Sequence, residues 1–253
     1  MDIQEEAKSA AEQYRNVISV NEKIKALKKK VRDGTADIED ATEYASLTGK
    51  SLGDILTGQI MVLFPEKITY EEARELIGPV TRENYQSVAN YVKAVIRGIN
   101  QADGLGIAAL VSGYPENRVE GLAKALENMT VVSKEIMKLW QSFETLSMST
   151  VDDSVRKNID FRNKLGFEVS VIREFHPEET IQSKHHGKGM WECPWCKSVA
   201  GVYNYEDVKD TGNDVWRRHN GCHCVITYKS SEKTDVIYNG MRARAPDNNT
   251  SRR

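Results

Sequence analysis

Apolar residues recur at three- and four-residue spacing through roughly the first 166 positions, which is the pattern of helices that bury one face. Ile18, Ile24, Leu27 and Val31 predict a first helix over about 3–32. It closes on Lys28-Lys29-Lys30, suited to the negative end of a helix dipole, and on Gly34. A second helix is expected from Asp37 to Leu63, with Gly49 and Gly53 as candidate breaks and Pro65 as its stop. Thr69-x-x-Glu72 has the form of a capping box and opens a short helix that ends at Gly78-Pro79. Thr81 is read as the cap of the clearest helix, in which Val88, Tyr91, Val92, Val95, Ile96 and Ile99 form one stripe. After an apolar, Gly-containing stretch from Gly104 to Gly113, Pro115 opens a helix running toward Met148, with a candidate break near Asn128. Thr150-x-x-Asp153 is expected to cap a last helix that ends near Gly166.

The period then changes. Phe167–Phe175 alternates as a strand does, and residues 176–190 are polar, Gly-rich and aperiodic, as expected of a surface loop. Cys224–Tyr228 and Val236–Tyr238 read as a strand pair turning at Lys229–Thr234, and Arg242–Arg253 as a frayed tail. The expected class is therefore α+β: a helical domain over 1–166, a small zinc-ribbon-like α+β module over 167–241, and a flexible tail over 242–253. No solenoid repeat interrupts this division.

Composition narrows the function classes. The 253 residues carry 35 Lys and Arg against 37 Asp and Glu, a net charge of −2. That balance argues against a protein devoted to coating nucleic acid. No run of about 18 apolar residues is present, so no membrane partner is expected. The acidic, polar start Met1-Asp2-Ile3-Gln4-Glu5-Glu6 does not read as a secretory signal. All four cysteines lie between positions 193 and 224, and in a reducing compartment such a cluster suits metal better than disulfides.

Cys193-Pro194-Trp195-Cys196 has the two-residue spacing with which a thiolate pair grips one ion from a single turn. Cys222 and Cys224, on one face of an extended chain, can complete a tetrahedron; His219 and His223 are alternatives. One open ligand set is Cys193, Cys196, His219 and Cys222, with Cys224 buried as a small apolar residue. The expected cofactor is a structural Zn2+. The competing reading is four reduced, buried thiols; a redox disulfide fits less well, because no βαβ pattern surrounds the pair. Trp191, Trp195, Tyr203, Tyr205 and Trp216 read as core of a small module rather than a base-stacking platform. His185-His186 reads as part of a basic loop. No catalytic residues are assigned. The deaminase pattern needs His-x-Glu before Pro-Cys-x-x-Cys, and here the proline lies inside the pair.

The arrangement Trp191…Cys193-x-x-Cys196…Ala200-Gly201…Arg218-His219-x-x-Cys222-x-Cys224, followed by a short strand, resembles the C-terminal signature of phage minor head proteins of the Mu F type. The match covers about 60 residues, from Ile172 to Tyr228, and departs from the family at His223, where C-R-C is usual. The resemblance implies a structural protein of a tailed phage or prophage, without enzymatic activity or a small-molecule substrate. Its expected partners are portal and capsid or scaffold proteins, with DNA as a further contact. Its expected location is the virion, and the host cytoplasm during assembly. The alternative is a zinc-ribbon nucleic-acid-binding protein or a metal-dependent nuclease.

Overall fold

In a computed structural model, which describes residues 2–129, 136–176, 193–210 and 212–231, the protein is α+β: long helices packed on a small antiparallel sheet. Helix α1 (Ile3–Val20) is capped by Asp2, whose carboxylate accepts from the Gln4 amide at 2.9 Å. The expected single helix over 3–32 is in fact two, because Asn21 takes extended backbone angles and caps α2 (Glu22–Asp33) by accepting from the Ile24 amide at 3.1 Å. Asparagine competes for local backbone donors, which favours caps over helix interiors.

Helix α3 (Ile38–Leu63) runs without a break through Gly49 and Gly53. A Cβ at Gly49 would sit 2.8 Å from the Glu144 Cα, and one at Gly53 would sit 2.8 Å from Trp140 Cδ1. The two glycines instead let α3 approach α6 (Ile136–Lys164) backbone to backbone. Helix α4 (Tyr70–Ala102) opens with the expected Thr69/Glu72 capping box but continues past Pro79. Thr81 is therefore not a cap. Its hydroxyl lies 2.9 Å from the carbonyls of Ile77 and Gly78 and 2.7 Å from the Tyr114 hydroxyl. An internal proline costs about 3 kcal/mol, whereas fully buried Leu76, Ile77 and Val80 contribute about 1.5–3 kcal/mol each, so packing overrides the break.

Helix α5 (Glu116–Glu127) ends where the sequence offers a break, and residues 130–135 lie outside the described set. Thr150, expected as a cap, is interior to α6. Its carbonyl accepts from Ser154 Oγ at 2.6 Å. The stretch before α5 lies extended on α6, where Asn158 bonds both the amide and the carbonyl of Leu110, at 3.0 and 2.7 Å.

Strand β1 (Glu168–Glu174) is central in a three-stranded sheet of order β2-β1-β3. Val171 faces Tyr203 of β2 (Gly201–Asn204) and Tyr228 of β3 (Val225–Ser231). β2 has no signal in the hydrophobic pattern. The expected turn at Lys229–Thr234 is wrong at its start: β3 continues to Ser231, which pairs with Glu168. Phe167, Val169, Val171 and Ile226 join the same apolar core as the helices, while the four cysteines form a separate small cluster with Phe175 and Trp195. The expected 176–190 loop beyond residue 176, His185-His186, Trp191, the Val236–Tyr238 strand and the 242–253 tail lie outside the described residues. Among the described residues no helix is long and apolar enough to cross a membrane.

Candidate metal centre

The first thiol pair is built by one helical turn. Pro194 opens α7 (Pro194–Ser198), where its missing amide proton costs nothing, and Cys193 caps it. The Cys196 amide lies 3.5 Å from Cys193 Sγ, so both sulfurs are held on one side of the turn. The second group comes from a tight loop. Gly221 has φ +75, a conformation that strains residues with a Cβ, and the Cys222 amide donates to the His219 carbonyl at 3.1 Å. That turn folds the His219 ring back toward the sulfurs. Beyond it the chain is extended, and Cys222 and Cys224 share one face, as alternation requires. His223 therefore points the other way. Its Nε2 is 3.6 Å from the buried Glu144 carboxylate, which also accepts from Ser46 Oγ at 2.6 Å and faces Lys50 Nζ at 3.4 Å. His223, one of the ligand alternatives, thus packs on the helices and is not part of the sulfur cluster.

The five remaining candidates converge. Cys193, Cys196 and His219 form one group and Cys196, Cys222 and Cys224 another; within each group all ligand atoms lie within 4.8 Å of one another, with Cys196 shared. His219 Nε2 is 3.3 Å from Cys193 Sγ and 2.9 Å from Cys196 Sγ, and Cys196 Sγ is 3.7 Å from Cys222 Sγ. A zinc-sized ion with four tetrahedral ligands and metal–sulfur bonds of about 2.3 Å has sulfur–sulfur edges of about 3.8 Å, so the Cys196–Cys222 edge fits. His219 Nδ1 is 2.8 Å from the Asn220 carbonyl, which can only accept. Nδ1 therefore donates to Asn220, and Nε2 is the nitrogen turned toward the sulfurs. The cluster can hold a metal ion. The four cysteines are free of disulfides and buried, which keeps water and oxidants away.

Electrostatics favour a thiolate at Cys222. The Cys196 thiol donates to it, which pushes Cys222 well below the ordinary thiol range and Cys196 above it; Arg218 adds to the depression at Cys222. Arg218 is locked in place by Asp152 of α6. Its Nη2 donates to Oδ1 at 2.8 Å and its Nε to Oδ2, both side chains being almost wholly buried. Burial alone would lower its affinity for a proton, and the Asp152 carboxylate outweighs that and raises it. Arg218 Nη1 also reaches the Cys222 carbonyl at 3.2 Å. From β1, buried Arg173 donates through Nη1 to the carbonyls of Asp214, Val215 and Arg217 at 3.2, 2.6 and 2.7 Å, and lies 5.1 Å over the Trp195 ring.

Arg173, Asp152 and the Asn220-Gly221 turn were not singled out by the motif, and Arg218 stood in it without a role. One signal was available: in β1 the buried positions alternate Val169, Val171, Arg173, and a charge on the inward face of a strand is unusual without a partner. Of the aromatics, Tyr205 is buried, Trp216 donates to the Val208 carbonyl at 2.5 Å, and Tyr203 donates to the Val199 carbonyl at 3.0 Å. Comparison with protein-family models, with curated proteins and with solved structures returns no match for this chain.

Proposed function

We propose that the cluster holds one structural zinc ion, and that the protein is a minor head or head-morphogenesis component of a tailed phage or prophage, acting at the portal or inside the capsid. The observation that supports this reading is the convergence of Cys193, Cys196, His219, Cys222 and Cys224, the residues that carry the Mu F resemblance, from two segments separated by 22 residues (197–218). A single ion there ties α7, the 219–224 loop and the start of β3 to one point, and such ties supply folding free energy directly. On this reading the centre is a staple rather than a reaction site, and the helical surfaces meet portal, capsid or scaffold subunits in the host cytoplasm before packaging into the virion.

Two measurements test it. Elemental analysis of the purified chain is expected to give one zinc per polypeptide; none would remove the staple. On this reading, co-expression with portal and capsid proteins of the same phage or prophage is expected to bring the chain into sedimenting procapsids. A chain that stays outside procapsids but binds DNA with a steep salt dependence, or nicks it in a metal-dependent way, overturns the head-protein reading in favour of a nucleic-acid function.

A further inference from the structure

A groove of about 580 Å³ lies between α5, α6 and the 216–220 loop. Gly121 of α5 lines it, and a Cβ there would meet nothing within 4 Å. Glycine inside a helix costs stability, and here the side chain it lacks leaves the groove open. Leu122, Leu146 and Trp216 supply apolar surface, and Asn220 ties the loop to α6 by donating to Ser142 Oγ at 3.0 Å. A second cavity, of about 760 Å³, shares Arg118, Asp153 and Arg156 with the first, so the opening continues along α6.

Four guanidiniums line the groove, those of Arg118, Arg156, Arg217 and Arg218, against two carboxylates, Asp152 and Asp153. In a chain of net charge −2 that excess is local. The four are not equally committed. Arg218 and Asp152 neutralise each other in a buried pair. Arg118 meets Asp153 at 2.8 Å and Arg217 meets Asp214 at 3.0 Å, but these side chains are 40% to 67% exposed, and pairs in contact with water exchange partners at little cost. Among the described residues no carboxylate lies within ion-pair distance of Arg156. Its guanidinium donates to the Lys209 carbonyl and lies 5.3 Å over the Trp216 ring. An incoming anion therefore finds one cation without a counter-charge and two that can turn to it.

The aromatic surface and the acids decide what kind of anion fits. Stacking a base needs a bare ring face, and Arg156 covers Trp216 while the indole N–H is held by the Val208 carbonyl. A continuous phosphate backbone would also pass Asp152 and Asp153, whereas a peptide can space its carboxylates to avoid them. We infer that this groove docks an extended acidic segment of a partner protein, with an apolar side chain between its carboxylates. The groove does not depend on the head-protein reading; only the owner of the segment, a portal, capsid or scaffold subunit, rests on it.

The probe is a dye-labelled random copolymer of glutamate and tyrosine, read by fluorescence anisotropy with the full chain as purified. Polyglutamate, a lysine–tyrosine copolymer and a single-stranded oligonucleotide of matched charge are the comparisons. The glutamate–tyrosine copolymer is expected to bind more tightly than all three. Arg156→Glu is expected to weaken it about tenfold or more. Gly121→Leu, which fills the opening and removes no contact, is expected to weaken it as well, with zinc content unchanged and melting temperature not lowered. Tighter binding of the oligonucleotide, or copolymer binding that neither variant changes, overturns the inference. A chain that enters procapsids yet binds no copolymer overturns the inference alone, and one that binds the copolymer but stays outside procapsids overturns the head-protein reading alone.

Discussion

Adjacent aspartates on α6 offer a test of how burial sets the worth of an ion pair. Asp152 meets Arg218 through two hydrogen bonds, with side chains 6% and 3% exposed. Asp153 meets Arg118 at 2.8 Å, with side chains 40% and 49% exposed. The substitution is Asp→Asn at each position, nearly isosteric, removing one charge. At Asp152 the guanidinium left behind cannot reach water. Two charges about 4 Å apart attract by about 4 kcal/mol at an effective dielectric of 20. Breaking a buried pair from one side costs about 3–5 kcal/mol. The asparagine oxygen can still accept one bond, so Asp152→Asn is expected near the lower end, about 3 kcal/mol. Asp153→Asn is expected to cost less than about 1 kcal/mol, because both partners rehydrate. Denaturant unfolding of both variants, at constant zinc and equal slope, gives the difference from the midpoints. If the two costs fall within about 1 kcal/mol of each other, burial is not what gives the Asp152 pair its strength. Since Arg218 also holds the Cys222 carbonyl, Asp152→Asn should release zinc to a chelator faster than Asp153→Asn does.

Three further predictions follow from other parts of the molecule. Gly58→Ala, with open space around its Cβ, should stabilise the protein by about 0.5–1 kcal/mol, whereas Gly49→Ala, whose Cβ meets the Glu144 backbone at 2.8 Å, should destabilise it by about 1–2 kcal/mol; equal signs in thermal unfolding would refute the close α3–α6 approach. Chelation should lower the melting temperature and shift tryptophan emission to the red, through Trp195 beside His219, while most helical circular dichroism remains; an unchanged emission spectrum counts against a metal at the cluster. Glu72 is held below the usual carboxylate range, first by the Thr69 amide and then by the Thr69 hydroxyl. Its contribution is therefore complete above the ordinary glutamate value and is lost as pH falls through the lower folded one, and Glu72→Gln should flatten that part of the stability–pH curve.

By itself the sequence determined the class and the set of candidate donors. Helical periodicity up to residue 166 and the strand patterns at 167–175 and 224–228 correspond to elements that form, because each reports which face of a local segment must leave water. The Cys193/Cys196 spacing and the shared face of Cys222 and Cys224 were legible for the same local reason. Element boundaries were less so. Pro79, Gly49 and Gly53 read as breaks, yet burial along α4 and the close packing of α3 on α6 carry the helices through them, and neither is visible in a single segment. Only the tertiary structure turned His223 onto Glu144 and His219 onto the sulfurs, since that choice depends on which way the Gly221 turn folds the chain. It alone brought Arg173 and the Asp152–Arg218 pair beside Cys222. Charges distant in the chain interact only once burial removes the water that would otherwise screen them, and no spacing rule records that.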